Sequence, residues 1–348
     1  MVTVGAGALV VVVGEARVSA NCGLYLSENI LDGIIPPNLE KCIKLQILSL
    51  ANNEFTGTVP KELGNITALT GLALGGQHLE GEIPQELGAL RYLTSLYLQE
   101  NQLTGSIPPS IFNITTMQKI ILTSNNLTGK LPTTICDHLP DLEVLAISNN
   151  YLDGVILPNL EKCRKLDILI LSKNKFIGTV PRELANLRDL TELYLGVQQL
   201  GGEIPVELGN LKKLQTLSLY QNEFTCSIPA SIFNMSALQN LALEQNRLSG
   251  QGCKLMGIIP EEIGNLTGLT RMSLQNNELA GHIPKTVQDM LKLQELYLYG
   301  NKIEGTIPNV ICNLKSLGAL DLSGNYFSGS VPACLGNVTS LRNCIRSK

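Results

Sequence analysis

The chain has 348 residues, of which 44% are hydrophobic and 4% aromatic, and its formal net charge is −4. This charge, without interleaved basic and aromatic residues, argues against a nucleic-acid-binding protein. The longest apolar run, residues 4–14, is shorter than the roughly 20 residues of a spanning helix, so we predict no membrane span.

The first 17 residues precede the regular part of the chain. Residues 6–13 form a small apolar core, and Val18-Ser19-Ala20 has the small residues of a signal-peptide cleavage site. However, no Lys or Arg precedes that core. Two interpretations of residues 1–17 therefore stay open, a signal peptide or an irregular N-terminal segment.

Residues 18–337 repeat one pattern of about 24 residues in 13 successive copies. In the copy at residues 90–113, Leu96 and Leu98 alternate with more polar neighbours, which predicts a short strand with one buried face. Asn101, Gly105 and Pro108 follow at positions that most copies share. A single copy cannot bury its own leucines, so the copies must stack into a solenoid.

We predict an α/β repeat solenoid with a short parallel strand in each repeat on the concave face and irregular or 3₁₀ segments on the convex side. The side-chain amide of Asn101 is expected to satisfy backbone groups of neighbouring turns. Gly105 permits a backbone angle that other residues resist, and Pro108 ends strand pairing. The predicted domains are residues 1–17, the repeat domain 18–337, and a partial repeat or cap, 338–348.

Two irregularities interrupt the repeats. Residues 251–256 are an insertion in the tenth copy, which is either a binding loop or a tolerated insertion. Copies six to ten also resemble copies one to five at an offset of 121 residues. Gln77 and Gln198, which replace the turn asparagine, obey this offset, so we attribute them to duplication rather than to function.

The nine cysteines do not have the spacing of a zinc site, and we predict neither a metal nor a cofactor. Two disulfides are considered, Cys226 with Cys253 beside the insertion, and Cys334 with Cys344 at the end of the solenoid. Four others are expected to act as small buried hydrophobic residues. These four are Cys42, Cys136, Cys163 and Cys312.

Six N-x-[ST] sequons favour a secreted, glycosylated chain, and five of them fall at the junction between copies, on the outer rim. The alternative is that this position simply favours Asn followed by an apolar residue and Thr or Ser. The predicted glycosylation sites are Asn65, Asn113, Asn126, Asn234, Asn265 and Asn337.

The repeat frame resembles the plant-specific class of leucine-rich repeats, and residues 110–117, 139–145 and 178–196 are similar to ectodomains of plant receptor-like kinases of the immune-receptor type. The resemblance implies an extracellular right-handed superhelix that binds peptides or microbial molecules on its inner face and recruits a co-receptor. The chain departs from that family by having no Trp, an unmatched Cys22 and no kinase motifs, so phosphoryl transfer is excluded for this chain.

We expect a peptide or protein ligand to contact the concave face in copies seven to twelve. Tyrosine combines contact area with a polar tip, although aromatic residues also suit strands through packing alone. Mixed charges along this strip argue against a simple anionic ligand. The predicted contacts are Lys173, Tyr194, Tyr220, Glu244, Arg247, Arg271, Tyr297 and Tyr299.

The favoured function is therefore a non-enzymatic recognition module in plant defence or developmental signalling. The alternatives are a soluble inhibitor of secreted cell-wall hydrolases, resembling polygalacturonase inhibitors, and an intracellular protein-interaction scaffold. An enzyme is disfavoured because His78, His138 and His282 lie in distant copies and cannot share a site.

Overall fold

The computed structural model describes residues 22–249 and 257–341, together with the backbone of two short antiparallel strands, Thr3–Gly5 and Ala8–Val10. The rest of residues 1–17 and the insertion at 251–256 lie outside the described residues. The signal peptide, the insertion loop and the three domain boundaries therefore stay predictions. Within the described part, no helical segment has the length and apolarity that a bilayer crossing requires.

The predicted solenoid is confirmed, because every copy contributes one three-residue strand to a single parallel sheet of 13 strands. We call this the inner sheet. Successive strands are in register, so that Leu96 lies between Leu72 and Ile120 and the leucines form a continuous buried ladder. The strands are Gly23–Tyr25, Ile47–Ser49, Gly71–Ala73, Ser95–Tyr97, Lys119–Ile121, Val144–Ala146, Ile168–Ile170, Glu192–Tyr194, Thr216–Ser218, Asn240–Ala242, Arg271–Ser273, Glu295–Tyr297 and Ala319–Asp321.

The turn asparagines form a second buried ladder, as predicted. The amide of Asn101 donates to the carbonyl of Leu74 at 2.9 Å, and its Oδ1 accepts the backbone N–H of Leu79 at 3.0 Å. Each amide thus satisfies buried backbone groups of an adjacent repeat, which are costly to leave unpaired. Gln77 and Gln198 reach the equivalent backbone groups, so the ladder continues through both substituted copies.

A further set of short parallel strands follows the asparagine turns on the flank of the solenoid, and the sequence did not predict it. Each is only two to five residues long, and most bury one apolar side chain, such as Phe55 or Leu103, so their alternation is too short to identify a strand. Gly105 lies just after one of them with φ +71°, as expected, and Cys226 adopts φ 64° at the equivalent position. The flanking strands are Asp32–Ile34, Glu54–Thr58, His78–Glu82, Gln102–Thr104, Asp153–Val155, Lys175–Gly178, Gln199–Glu203, Glu223–Thr225, Glu304–Gly305 and Tyr326–Phe327.

The convex side consists of 3₁₀ segments, as predicted, and each follows the proline-containing part of its repeat. Their apolar residues, such as Leu63 and Phe112, complete the core beneath the inner sheet. In the described residues they are Pro37–Lys41, Lys61–Asn65, Gln85–Ala89, Pro109–Asn113, Pro158–Lys162, Arg182–Asn186, Val206–Asn210, Ala230–Asn234, Glu261–Asn265, Lys285–Asp289, Asn309–Asn313 and Ala333–Asn337.

The structure corrects the prediction for the disulfide at the C-terminal end. Cys334 is bonded to Cys312, so its predicted pairing with Cys344 is wrong. Stacking places matching convex segments of successive repeats side by side, which brings these two sulfurs together although they are 22 residues apart in sequence. Cys226 is disulfide-bonded, but Cys253 lies outside the described residues, so their pairing stays a prediction.

The prediction that four cysteines act as small buried hydrophobic residues is also corrected by the structure. Cys136 and Cys163 are buried, but they are bonded to each other across adjacent convex segments. Cys42 is wrongly predicted as buried, because it is an exposed free thiol, as is Cys22. The sequence of a single repeat indicates that a cysteine lies in an apolar environment. It does not indicate which cysteine of the next repeat lies beside it after stacking.

Candidate ligand-binding face

The inner sheet leaves one face uncovered, which we call the inner face. In each repeat the first and third strand residues and the residue two places further on point away from the buried leucines, because side chains alternate along a strand. In one repeat these are Glu192, Tyr194 and Gly196. The sheet register aligns them with the matching residues of neighbouring repeats in three parallel rows.

The inner face of repeats two to seven, which we call the apolar region, is packed and largely neutral. Its second row contains Ala73, Tyr97, Ile121 and Ala146, which are all buried and form one cluster with apolar neighbours in the first row. Tyr97 is only 8% exposed. Its hydrophobic neighbours on both sides therefore cover it, and it offers a ligand little surface.

The inner face of repeats eight to thirteen, which we call the polar region, is built differently. Its second row runs from Tyr194 through Ser218, Ala242 and Ser273 to Tyr297. The three small side chains project less than the two tyrosines, and we call this stretch of the row the trough; Ser218 and Ser273 on its floor are themselves only 4% and 2% exposed. At about 4.8 Å between strands, four spacings give this trough a length of about 19 Å.

Tyr194 and Glu192 lie together at one end of the trough. Burial raises the pKa of the Tyr194 hydroxyl to about 12, and the neighbouring Glu192 carboxylate adds to the shift. Burial also raises the pKa of Glu192, although a hydrogen bond with Tyr194 opposes that shift. Both groups are thus partly withdrawn from water while remaining on the open face.

Tyr220 and Glu244 lie along one side of the trough, in the third row. The ring of Tyr220 rests on Gly196, where an added Cβ would lie 2.4 Å from the ring carbon Cδ1. This glycine therefore provides the space in which the ring lies. Burial raises the pKa of both Tyr220 and Glu244, and the charge of Arg271 partly opposes the shift of Glu244.

Arg271, Glu295 and Tyr297 form the other end of the trough. Arg271 Nε lies 3.0 Å from Glu295 Oε2, and its guanidinium carbon lies 5.8 Å from the centre of the Tyr297 ring. Arginine stacked on an aromatic ring and paired with a carboxylate is held in place. The end of the trough is therefore pre-organised.

The eight residues predicted to contact a ligand do not form one strip. Tyr194, Arg271 and Tyr297 lie within strands of the inner face, and Tyr220, Glu244 and Tyr299 lie in its third row. Lys173 lies one place further along, at a turn with φ 55°. Arg247 lies on the flank, where its guanidinium is 3.8 Å from Glu223.

The sequence prediction missed two residues of the polar region, Glu192 and Glu295. Both occupy the first residue of their strands, the row in which the apolar region has Val144 and Ile168. The signal that identifies them is a carboxylate at a position where no other repeat has one. His78 lies outside this face and pairs with Glu54 at 2.8 Å on the flank.

The six predicted glycosylation sites are all exposed. Five of them, all except Asn126, are the last residues of 3₁₀ segments and therefore lie on the rim of the convex side. Their occupancy stays a prediction. Within the described residues, no group of three or more His, Cys, Asp or Glu side chains has an arrangement that would hold a metal ion.

Family models of leucine-rich repeats match the chain at residues 44–66, 92–114, 148–276 and 267–327, which together exceed half of it. These models are described as Leucine Rich Repeat, Leucine-rich repeat region and Leucine rich repeat. The chain therefore belongs to the leucine-rich-repeat family. No match was found among curated proteins.

Solved structures of plant receptors share this fold and part of the sequence. A plant peptide hormone receptor, RGFR1 in complex with RGF2, is 36% identical over 91% of this chain and 50% of that one, with a TM-score of 0.87. The leucine-rich-repeat ectodomain of the Arabidopsis receptor kinase HAESA, in complex with an N-terminally extended IDA peptide hormone, is 35% identical over 92% of this chain and 52% of that one, with a TM-score of 0.85.

HAESA in complex with IDA and the co-receptor SERK1 is also similar, with 29% identity over 91% of this chain and 68% of that one and a TM-score of 0.58. The chain spans about half the length of the RGFR1 and HAESA ectodomain structures. These similarities support a ligand-binding leucine-rich-repeat module.

Proposed function

We propose that this chain is a non-enzymatic recognition module that binds a peptide, or a segment of a protein, in the trough of its polar region. The observation that carries the proposal is the trough itself, which has small residues along its floor and a tyrosine at each end. Aromatic residues beside open, partly desolvated pockets are the usual centres of binding energy. The apolar region, by contrast, is closed by its own side chains.

The cellular role is proposed from the similar structures. RGFR1 and HAESA are solved with peptide hormones, and HAESA is also solved with a co-receptor. We infer that this chain acts outside the plant cell, in developmental or defence signalling. Its partners are then a peptide or protein ligand and a second leucine-rich-repeat protein as co-receptor.

The binding proposal is tested with a displayed library of random peptides panned on the immobilised full chain. The test variant carries Tyr194→Ala, Arg271→Ala and Tyr297→Ala together. We expect peptides selected on the natural chain to lose binding to this variant, while its melting temperature stays nearly unchanged because these side chains cover no core. Capture is measured for each selected peptide by surface plasmon resonance.

A matched control carries the same residue types away from the inner face, as Tyr92→Ala, Arg188→Ala and Tyr326→Ala. All three residues are exposed, so the control removes two tyrosines and one arginine without touching the trough. Selected peptides should bind the control as they bind the natural chain. Peptides that bind the test variant equally well would overturn the proposed function.

The compartment is tested by secretion of the chain from plant cells, followed by mass-spectrometric mapping of glycans. We expect occupied sites among the five junction asparagines, with Asn65 and Asn113 as examples. A chain that stays inside the cell with all its sequons unmodified would contradict the extracellular role and favour a scaffold. That outcome would leave peptide binding itself to be judged by the library experiment.

A further inference from the structure

The inner face is electrically asymmetric along the solenoid. In the three rows of the apolar region, Lys119 is the one charged residue. The same rows of the polar region contain four acidic residues and one basic residue, Arg271. The four acidic residues are Glu192, Glu244, Glu295 and Asp321.

Arg271 does not balance this charge, because it is already engaged by Glu295 and stacked on Tyr297. The carboxylate of Asp321 accepts hydrogen bonds from the backbone N–H and the hydroxyl of Ser323 at 3.0 and 2.7 Å. Glu192 and Glu244 are left as the carboxylates with the fewest compensating contacts. Neither makes an ion pair in the part of the chain that the structure describes.

Both of these carboxylates are incompletely satisfied. The Oε2 atoms of Glu192 and Glu244 are buried without a hydrogen-bond partner among the described residues, and so is Oε1 of the nearby Gln275. An ionised carboxylate that is partly buried and has one oxygen without a hydrogen bond is costly in the free protein. A bound cation with N–H donors would remove much of that cost.

The dimensions of the trough define the shape of the occupant. A length of about 19 Å fits about five or six residues of extended peptide, at roughly 3.3 Å per residue. Glu192 and Glu244 lie in the first and third rows, on opposite sides of the trough, and they are two strands apart along it, which corresponds to about 10 Å. Residues about three positions apart in an extended peptide span that distance, and their side chains point to opposite sides.

We propose that the occupant of the trough is an extended peptide segment with two basic side chains, about three positions apart, which bind Glu192 and Glu244. This inference rests on the proposed function and specifies its ligand class. The small residues Ser218, Ala242 and Ser273 leave room for the peptide backbone, and Tyr194 and Tyr220 offer ring faces beside the two carboxylates. An acidic or phosphorylated peptide is disfavoured, because the one basic group in these rows is already paired.

The test uses the peptides selected on the full chain from the random library. We expect pairs of Lys or Arg at the stated spacing to be enriched. Glu192→Gln and Glu244→Gln should each weaken binding of such peptides by about tenfold, since each removes one charge-assisted contact without changing shape. Binding should also weaken as the salt concentration rises.

A matched control and a double-mutant cycle distinguish direct contact from an indirect effect. Glu223→Gln removes an exposed carboxylate on the flank and should leave binding unchanged. Replacing the cognate basic residue of the peptide with norleucine should weaken binding to the natural chain. It should have little further effect on the glutamine variant that lacks its partner.

The possible results separate the two proposals. Peptides that fail to bind the triple alanine variant but lack basic residues, and that bind both glutamine variants normally, would overturn the charge inference and leave the proposed function standing. A library that yields no peptide sensitive to the triple alanine variant would overturn both. Selected peptides that carry paired basic residues would support both proposals if the double-mutant cycle shows the expected losses. In that cycle each single change weakens binding, and the peptide change has little further effect on the matching glutamine variant.

Discussion

The apolar and polar regions of the inner face have the same backbone, but equivalent side chains are buried in one region and partly exposed in the other. In the apolar region Tyr97 packs between Ala73 and Ile121 and is closed off from water. In the polar region Tyr194 and Tyr297 occupy the same row, but serines and an alanine lie between them. An identical position in the repeat is therefore buried in one region and partly exposed in the other.

The two regions differ in their inner-face rows and not in the ladders that stack the repeats. The leucine and asparagine ladders continue through both regions without change, because every repeat needs them in order to stack. The residues of the inner-face rows are not needed for stacking. Substitutions in the ladders should therefore have equal effects in the two regions, whereas substitutions in the rows should not.

The largest expected effect comes from the asparagine ladder. Asn222→Ala would leave the buried N–H of Leu200 without a partner and would remove one of two hydrogen bonds from each of the carbonyls of Leu195 and Leu219; the three lost bonds measure 3.1, 2.9 and 3.0 Å. At roughly 1–3 kcal/mol for the unsatisfied N–H and about 1 kcal/mol for each lost hydrogen bond to a carbonyl, we expect a loss of about 3–5 kcal/mol. Urea denaturation followed by circular dichroism measures it.

The comparison for this prediction is Asn101→Ala, in the apolar region, where the amide makes equivalent bonds. A loss of similar size is expected there. If the two variants differed greatly in stability, the ladder would not be the common support of both regions.

A smaller effect is expected from tyrosines of the second row. Tyr97→Ala removes a buried ring from a packed cluster and should cost about 2–3 kcal/mol, near the lower end for large aromatic residues. Tyr297→Ala removes a partly exposed ring and should cost less than about 1 kcal/mol. Both are measured as changes in the free energy of unfolding in urea.

The same two variants should have the reverse order of effects on peptide binding. Tyr297→Ala should weaken binding of library-selected peptides, whereas Tyr97→Ala should leave it nearly unchanged at a temperature where the variant remains folded. Strong loss of binding in Tyr97→Ala alone would show that the apolar region takes part in recognition.

The smallest effect concerns the pH dependence of stability. Burial raises the pKa of Glu192 and Glu244 in the folded protein, so their contribution to stability is fully present below the ordinary value of 4.5 and is lost as pH rises through the raised value. Asp167 adds to the shift of Glu192, and Arg271 opposes that of Glu244.

The double variant with Glu192→Gln and Glu244→Gln should therefore be more stable than the natural chain at pH 7, by less than about 1 kcal/mol. At pH 4 the difference should shrink toward zero, because both carboxyl groups are then mostly protonated. Melting curves at the two pH values test this. A variant that is less stable at pH 7 would show that the ionised carboxylates stabilise the fold.

Much of the architecture was predictable from the sequence, since the repeat brings the same residues to the same place in every copy. The solenoid, the strand in each copy, the role of Asn101 and the 3₁₀ segments are all confirmed. The flanking strands were missed because each is short and most bury only one apolar side chain. The bond between Cys136 and Cys163 was missed because no pattern within one repeat indicates the neighbour across a stack.

The candidate site was predicted only in outline. Six of the eight expected contact residues lie on the inner face, but Lys173 lies at a turn beyond the third row and Arg247 on the flank. Glu192 and Glu295 were missed, because an acidic residue in a strand does not by itself indicate a binding site. Exposure on this face depends on side chains one repeat before and after, which the position within a copy does not reveal.

The amino-acid pattern alone specifies the fold of this protein, because buried leucines and turn asparagines at a fixed period can be satisfied only by stacking. The pattern also specifies which residues point toward the inner face. Which of those residues are exposed could be seen only in the folded chain, because burial on the face depends on the neighbouring strands. Tyr97 packs against Ile121 and is 8% exposed, whereas Tyr194 lies beside Ser218 and is partly exposed.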